Sequence, residues 1–229
     1  NLVQIGHNVI IGENGTLYVV SNSLYAINAD GTIKWKSSLS GTLFSNAAID
    51  KDGTIYVYNN SDYKLYAFNP NGSLKTKSQA SYSTYGGTAS VHGSGLSISS
   101  NGLIYMMLGG THTRLVAFDK NGLIVWSKEY RYGKAGHTLD VQGNIIVSAL
   151  DAGAKKIQKL NAMTGELIAE KIVSTNDSGY ISSPIVDYAD GSIYASLNKL
   201  TKLDKDLNII WQKEDLHTTS EVVIDKNSN

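Results

Sequence analysis

Residues 24–35 read LYAINADGTIKW and residues 65–76 read LYAFNPNGSLKT. A looser copy, LVAFDKNGLIVW, stands at 115–126, and more degenerate ones follow at 158–169 (QKLNAMTGELIA) and 200–211 (LTKLDKDLNIIW). The turn residues Gly31, Gly72, Gly122, Gly165 and Leu207 mark one repeat position, at intervals of 41, 50, 43 and 42 residues. A chain that repeats at this period is built of stacked supersecondary units, and that constrains its fold more than any bulk property.

A second landmark fixes what each unit contains. Gly15, Gly53, Gly102, Gly143 and Gly191 each precede a β-branched or aromatic run: TLYVV (16–20), TIYVY (54–58), LIYMML (103–108), NIIVSAL (144–150) and SIYAS (192–196). Such runs are strands. Each unit then holds four, here A to D. In the second unit they are expected at Asn46–Ile49, Thr54–Tyr58, Lys64–Asn69 and Ser73–Lys77, joined by the turns Asp50-Lys-Asp-Gly53 and Asn69-Pro-Asn-Gly72. Asn and Asp bond their own backbone and Gly accepts positive φ, so these are hairpin turns with a mechanism. No segment carries sustained helical periodicity with caps.

The fold class that follows is all-β: a β-propeller of four-stranded antiparallel blades. A single blade cannot bury both its faces, and radial stacking does so. Five complete repeats are expected, at about 7–40, 41–80, 81–130, 131–173 and 174–215. Residues 216–229 add the first strand of a sixth, since Ser220-Glu-Val-Val-Ile-Asp-Lys-Asn227 parallels Ser45-Asn-Ala-Ala-Ile-Asp-Lys-Asp52. Residues 1–229 are thus expected to form one propeller domain, a fragment of a longer ring with open blade edges that could associate, the alternative being a closed five-blade ring with one spare strand.

Trp35, Trp126 and Trp211 fall on one position of strand D, where the second and fourth units carry Thr76 and Ala169. A large aromatic there suits a wedge against the adjacent blade. Ala26-Ile-Asn28-Ala-Asp30-Gly31-Thr-Ile-Lys-Trp35 and Ala117-Phe-Asp119-Lys-Asn121-Gly122-Leu-Ile-Val-Trp126 resemble the tryptophan-docking motif of the pyrroloquinoline-quinone-like (PQQ-like) propeller repeats. Asn161-Ala-Met-Thr164-Gly165 resembles the same turn without its tryptophan. The resemblance implies that the tryptophans pack on the neighbouring blade, with the motif's Ala and Asp or Asn residues helping to dock them.

Function is constrained mostly by exclusion. Lys plus Arg and Asp plus Glu are equal at 20 each, which removes the basic surface that a nucleic-acid partner requires. No run of eighteen apolar residues is present to span a membrane. The chain has no cysteine, which excludes disulfides, thiolate metal sites and cysteine nucleophiles. Quinoprotein dehydrogenases resemble this repeat but carry eight blades and a calcium-bound quinone, many with a vicinal cysteine pair. No Glu/Asn/Asp trio here maps onto their calcium ligands, so the expectation is no cofactor, no metal and no enzyme. Asp50-Lys-Asp52-Gly53 opens like a calcium loop, but position twelve is Ser61 rather than a bidentate Glu, and it reads as a turn. The histidines at 7, 92, 137 and 217 fall in or just before A strands at different offsets and read as scattered polar rim residues.

The A–B and C–D turns are short and uniform, whereas the D–A and B–C loops on the opposite rim vary. Binding concentrates on loops held by a rigid scaffold. The candidate ligand-binding residues are therefore Tyr82, Tyr85, His92, His112, Arg114, Tyr130, Arg131 and Tyr132, with Asn60-Ser-Asp62-Tyr63 on the same rim. Tyrosine among small polar residues, abundant here with 14 Tyr and 22 Gly, is an adaptable recognition surface. The expectation is a non-catalytic binding or scaffolding propeller that is extracellular, at the cell surface or periplasmic. Its partner is a protein or a glycan. Within the family, the analogous function is that of the propeller lipoprotein that scaffolds outer-membrane protein assembly. Carbohydrate recognition through the tyrosine-bearing loops is the second reading, and an enzyme with a site at the channel mouth the third.

Overall fold

The computed structural model describes residues 9–37, 39, 47–78, 90–109, 113–130, 135–151, 153–175, 181–213 and 224, with side chains omitted for 90–94 and 135. The first blade is β1 (Val9–Ile11), β2 (Leu17–Val20), β3 (Leu24–Ile27) and β4 (Ile33–Lys36). The second is β5 (Ala48–Ile49), β6 (Ile55–Asn59), β7 (Lys64–Phe68) and β8 (Leu74–Lys77). The third is β9 (Ser90–Ile98), β10 (Ile104–Gly109), β11 (Thr113–Phe118) and β12 (Ile124–Tyr130). The fourth is β13 (Ala135–Leu139), β14 (Ile145–Asp151), β15 (Ala154–Leu160) and β16 (Leu167–Ser174). The fifth is β17 (Ile185–Val186), β18 (Ile193–Ser196), β19 (Leu200–Leu203) and β20 (Ile209–Lys213). Each blade is a separate four-stranded antiparallel sheet in sequential order, as the repeat requires. The sixth A strand expected at 216–229 lies almost wholly outside the described residues.

The inner position of the A strands follows from their mutual approach: β5 meets β9, β9 meets β13, and β13 meets β17. The core is not central but lies in four layers between blades. Alternation along a strand sends successive side chains to opposite faces. In β10, Tyr105 and Met107 face the fourth blade, while Ile104, Met106 and Leu108 face the second. Strands B and C are covered on both faces and therefore read as nearly continuous apolar runs rather than alternating ones.

The turns pack as the sequence predicts. Gly53 N donates to Asp50 O and Gly72 N to Asn69 O, and Thr54 N and Ser73 N bond the carboxylate of Asp52 and the amide oxygen of Asn71. Within the second blade the A–B and C–D turns abut, since a Cβ at Gly53 would lie 2.9 Å from the Pro70 ring. Both kinds of turn therefore share one rim, here the turn rim, and the B–C and D–A connections form the other, the loop rim.

One row across strands B, C and D recurs in register: Tyr18–Ala26–Trp35, Tyr56–Ala67–Thr76, Tyr105–Ala117–Trp126, Ile146–Lys159–Ala169 and Tyr194–Lys202–Trp211. The register shifts just after each row, between strands C and D, in all five blades. Such a bulge re-aims the strand D side chain beside it. The indole of Trp35 tilts over Tyr18 at 5.9 Å and donates from Nε1 to Pro70 O of the next blade at 2.9 Å. Trp126 does the same over Tyr105 at 5.9 Å, donating to Ala162 O at 3.0 Å. Gly72 and Gly165 hold positive φ and lie flat on these indoles, where a Cβ would come within 2.6 Å of the ring. All three tryptophans are partly buried, and Trp35 and Trp126 pack on the next blade as expected. Trp211 packs on Tyr194 of its own blade, with ring centroids 6.2 Å apart.

Candidate functional site

Of the eight residues expected to bind a ligand, only Arg114 and Tyr130 have described side chains. Tyr82, Tyr85, His112, Arg131 and Tyr132 lie outside the described residues, and His92 falls within strand β9 with its side chain undescribed. Tyr130 requires correction. Strand β12 runs through it, so it is not a loop residue; it is 1% exposed in the layer between the third and fourth blades. Its hydroxyl donates to Gln158 Oε1 at 3.1 Å, and burial pushes its ionisation far up. Strand alternation explains the error: Tyr130 pairs with Thr113 and shares the inward face of Leu115 and Ala117. Arg114, also read as a loop residue, lies inside β11 opposite Glu129, with Nη2 3.0 Å from its carboxylate and both side chains well exposed.

The loop rim of the second blade carries a feature that the site residues did not include. Tyr63, between β6 and β7, holds φ at 59°, a region that bulky side chains rarely adopt. Its ring packs against the layer containing Tyr58 and Leu65. Nearby, the Tyr66 hydroxyl donates to Asp62 Oδ2 at 2.5 Å; burial and then that carboxylate push the phenol up to about 12. Asn60 Oδ1 is buried and accepts no hydrogen bond among the described residues. Tyrosine carries no intrinsic preference for positive φ, so residue type alone could not have marked this position.

The turn rim carries a cleft of about 290 Å³ between the first two blades, lined by Glu13, Tyr18, Ile49, Asp50, Asp52 and Pro70 among others. Its two aspartates already have partners. Asp50 meets Lys120 of the third blade at 2.5 Å, and Asp52 accepts from Thr54 N and from Lys75 at 3.1 Å. The hydrogen bonds with Thr54, ahead of that with Lys75, hold the Asp52 carboxyl well below the usual range. Asp50–Gly53 is a hairpin turn, as the sequence indicates.

Among the A-strand histidines only His137 has a described side chain. His137 is not a rim residue: it is 2% exposed between β13 and the third blade, 2.8 Å through Nε2 from Ser97 Oγ. Burial lowers its pKa to about 4, partly opposed by a hydrogen bond to the Tyr105 backbone. It is a neutral packing histidine at neutral pH. Lys159 is also enclosed, 2.8 Å from Asp140. Burial pushes Asp140 up, but hydrogen bonds from Lys159 and Asn144 outweigh it and leave the carboxyl below its ordinary value. Among the described residues no three His, Asp or Glu converge on a metal position.

Five four-stranded sheets stacked about converging A strands, docked by indoles on the next blade's turn, define a propeller of the PQQ-like repeat class. The family model described as outer membrane protein assembly factor BamB matches residues 2–133, and the chain belongs to that family. Uncharacterized protein YxaL of Bacillus subtilis is 44% identical over 55 residues, a match spanning 23% of this chain and 13% of that protein. The crystal structure of BamB from Moraxella catarrhalis superposes with a TM-score of 0.63 at 15% identity, covering 92% of this chain and 64% of that one. Quinohemoprotein alcohol dehydrogenase from Comamonas testosteroni superposes at 0.70 and 14% identity, covering 99% of this chain and 45% of that one. At these identities the superpositions show the fold alone, and the same fold serves an assembly factor and an oxidoreductase.

Proposed function

We propose that this chain is a non-catalytic propeller, exported or displayed at the cell surface, that binds or scaffolds a partner protein through its loop rim. Tyr63 carries the reading. A bulky residue at positive φ costs on the order of 1–3 kcal/mol, and such strain clusters at binding clamps. Here it stands on the variable rim beside a buried amide oxygen with no partner among the described residues. On the turn rim most Asx side chains bond their own turns, and the bulky residue at positive φ there, Leu207, is buried to 3% in a blade layer, whereas Tyr63 is only partly buried. The description of the family as an outer membrane protein assembly factor supports both an exported location and a protein partner. The carbohydrate reading loses one of its aromatic residues, because Tyr130 belongs to the core.

Cross-linking of the purified chain to proteins of the envelope fraction, followed by affinity measurement with the partner identified, tests this reading. Arg114→Glu and Tyr63→Gly are expected to weaken binding at least tenfold, about 1.4 kcal/mol, while Lys75→Glu on the turn rim leaves it unchanged. A folded Arg114→Glu variant binding as wild type beside a failing Lys75→Glu would reverse the choice of rim. Glycan binding without any protein partner would replace the scaffold by a lectin. Added PQQ and calcium are expected to produce no oxidation of alcohols or sugars; turnover would refute the non-catalytic reading.

A further inference from the structure

On the turn rim, the A–B turn of one blade faces the C–D turn of the next, and three successive boundaries fill the space between them from within. Between the fourth and fifth blades Lys159 Nζ lies 2.8 Å from Asp140 Oδ2 and donates to Gln142 Oε1 at 2.9 Å and to Lys205 O at 3.4 Å. Between the second and third, Lys120 brings its ammonium to Asp50 at 2.5 Å. Between the third and fourth no ammonium enters. There the Tyr105 hydroxyl meets Ser99 Oγ at 3.2 Å and donates to Ala162 O at 3.0 Å.

Between the first and second blades the same place is the open cleft of about 290 Å³. Its fillers are missing by residue type. Gly12 stands where the other turns begin with Asp50, Ser99 and Asp140. Ala26 stands at the register position of Lys159, and Pro70 at the turn position of Lys120. What lines the cleft is polar and unmet. Tyr18 is 4% exposed, and its hydroxyl makes no hydrogen bond among the described residues. A buried hydroxyl left so is costly. Glu13 has no ion pair or hydrogen bond among the described residues, whereas Asp50 and Asp52 beside it are paired. In the fifth blade, Lys202 Nζ stands 5.1 Å over the ring of Tyr194, the counterpart of Tyr18.

We propose that this cleft binds a primary alkylammonium group, which donates to the Glu13 carboxylate and the Tyr18 hydroxyl and lays its stem against Ile49 and Pro70. An ammonium offers three donors and no acceptor, and its bond to a carboxylate is charge-assisted. The group comes from a small free amine or from a lysine side chain of another protein. The site lies on the rim opposite the proposed partner surface and does not depend on that reading.

NMR titration of the chain at low ionic strength tests it. Butylamine, protonated at pH 7, is expected to saturate with a dissociation constant on the order of 1 mM, and 1-butanol is expected not to bind. Glu13→Gln and Tyr18→Phe keep side-chain size, and each is expected to weaken butylamine at least about tenfold. Ala26→Lys is expected to supply the ammonium from within and abolish binding; the two isosteric variants carry the test whether or not it folds. Nα-acetyl-lysine methylamide separates the sources: binding as tight as butylamine assigns a lysine side chain, and exclusion assigns a small free amine. Butylamine that does not saturate, 1-butanol that binds equally well, or a Glu13→Gln chain that binds butylamine as wild type does would each overturn the proposal.

Discussion

The junction between the third and fourth blades and the one between the fourth and fifth meet the same packing problem with opposite residues. At the first, strand D supplies Trp126 and the next turn supplies Gly165, which must be glycine because a Cβ would lie 2.6 Å from the ring. At the second, strand D supplies Ala169 and the turn supplies Leu207, buried to 3% in the layer on which Ala169 packs. Leu207 keeps the turn geometry with φ at 68°, although leucine disfavours it. The left-handed backbone costs roughly 1–2 kcal/mol, and full burial of a leucine side chain contributes about 1.5–3 kcal/mol. Filling the space that an absent indole leaves can offset the strain. At these two boundaries the same space is filled from opposite sides; between the second and third blades neither side supplies a large group, since the row holds Thr76 and the Gly122 turn lies against Ser78.

The largest effect is expected where the indole is the filler. Trp126→Ala removes a half-buried ring and its hydrogen bond to Ala162 O. A loss of about 2–4 kcal/mol is expected in urea unfolding, toward the lower end of the range for enclosed aromatics. A melting temperature within two degrees of wild type would show that the wedge does not hold the blades.

The Trp126 junction should also be the acid-sensitive one, because His137 is buried in it. The unfolded chain takes up a proton near the ordinary 6.5, the folded chain only near 4. In that window the unfolded state binds more protons, so stability falls as pH drops from about 6.5 to 4, by at most about 3 kcal/mol. Full stability is present above that window. Unfolding free energies at pH 7 and pH 4.5 check this, and His137→Gln should flatten the difference. An unchanged slope would assign the acid sensitivity elsewhere.

The smallest effect is expected away from both junctions. The Arg114–Glu129 pair is exposed, so Arg114→Ala should change stability by less than about 1 kcal/mol. A greater loss would make Arg114 part of the framework rather than a surface available to a partner.

The blades, their strand order, the turn chemistry and the tryptophan position are all legible in the sequence. Each rests on local periodicity and on Asn, Asp and Gly at fixed offsets. The departures were legible too: Thr76, Ala169 and Leu207 stand out in the alignment of repeats. That Ala169 and Leu207 compensate each other was not, because the two lie in different repeats and meet only when blades stack. The site residues were less readable for a related reason. Tyr130 and Arg114 sit at strand ends, where one residue of extension turns a loop side chain into one fixed by the sheet, inward for Tyr130 and outward for Arg114. Tyr63 has no residue-type signal for its backbone, and His137 looks like any other A-strand histidine until the third blade closes over it.

The account rests most directly on shared volume across a blade boundary, and a double-mutant cycle at positions 169 and 207 measures it. Leu207→Gly alone should leave a void and lose about 1–3 kcal/mol after relief of its backbone strain. Ala169→Trp alone should overfill the space and lose about 1–3 kcal/mol. Together they recreate the Trp126–Gly165 pairing. A lysine beside the new indole is no obstacle, since Lys202 already pairs with Trp211 in β19 and β20. The expected result is a double variant more stable than either single one, with a coupling of at least about 1.5 kcal/mol. Losses that simply add, within about 0.5 kcal/mol, would contradict the account.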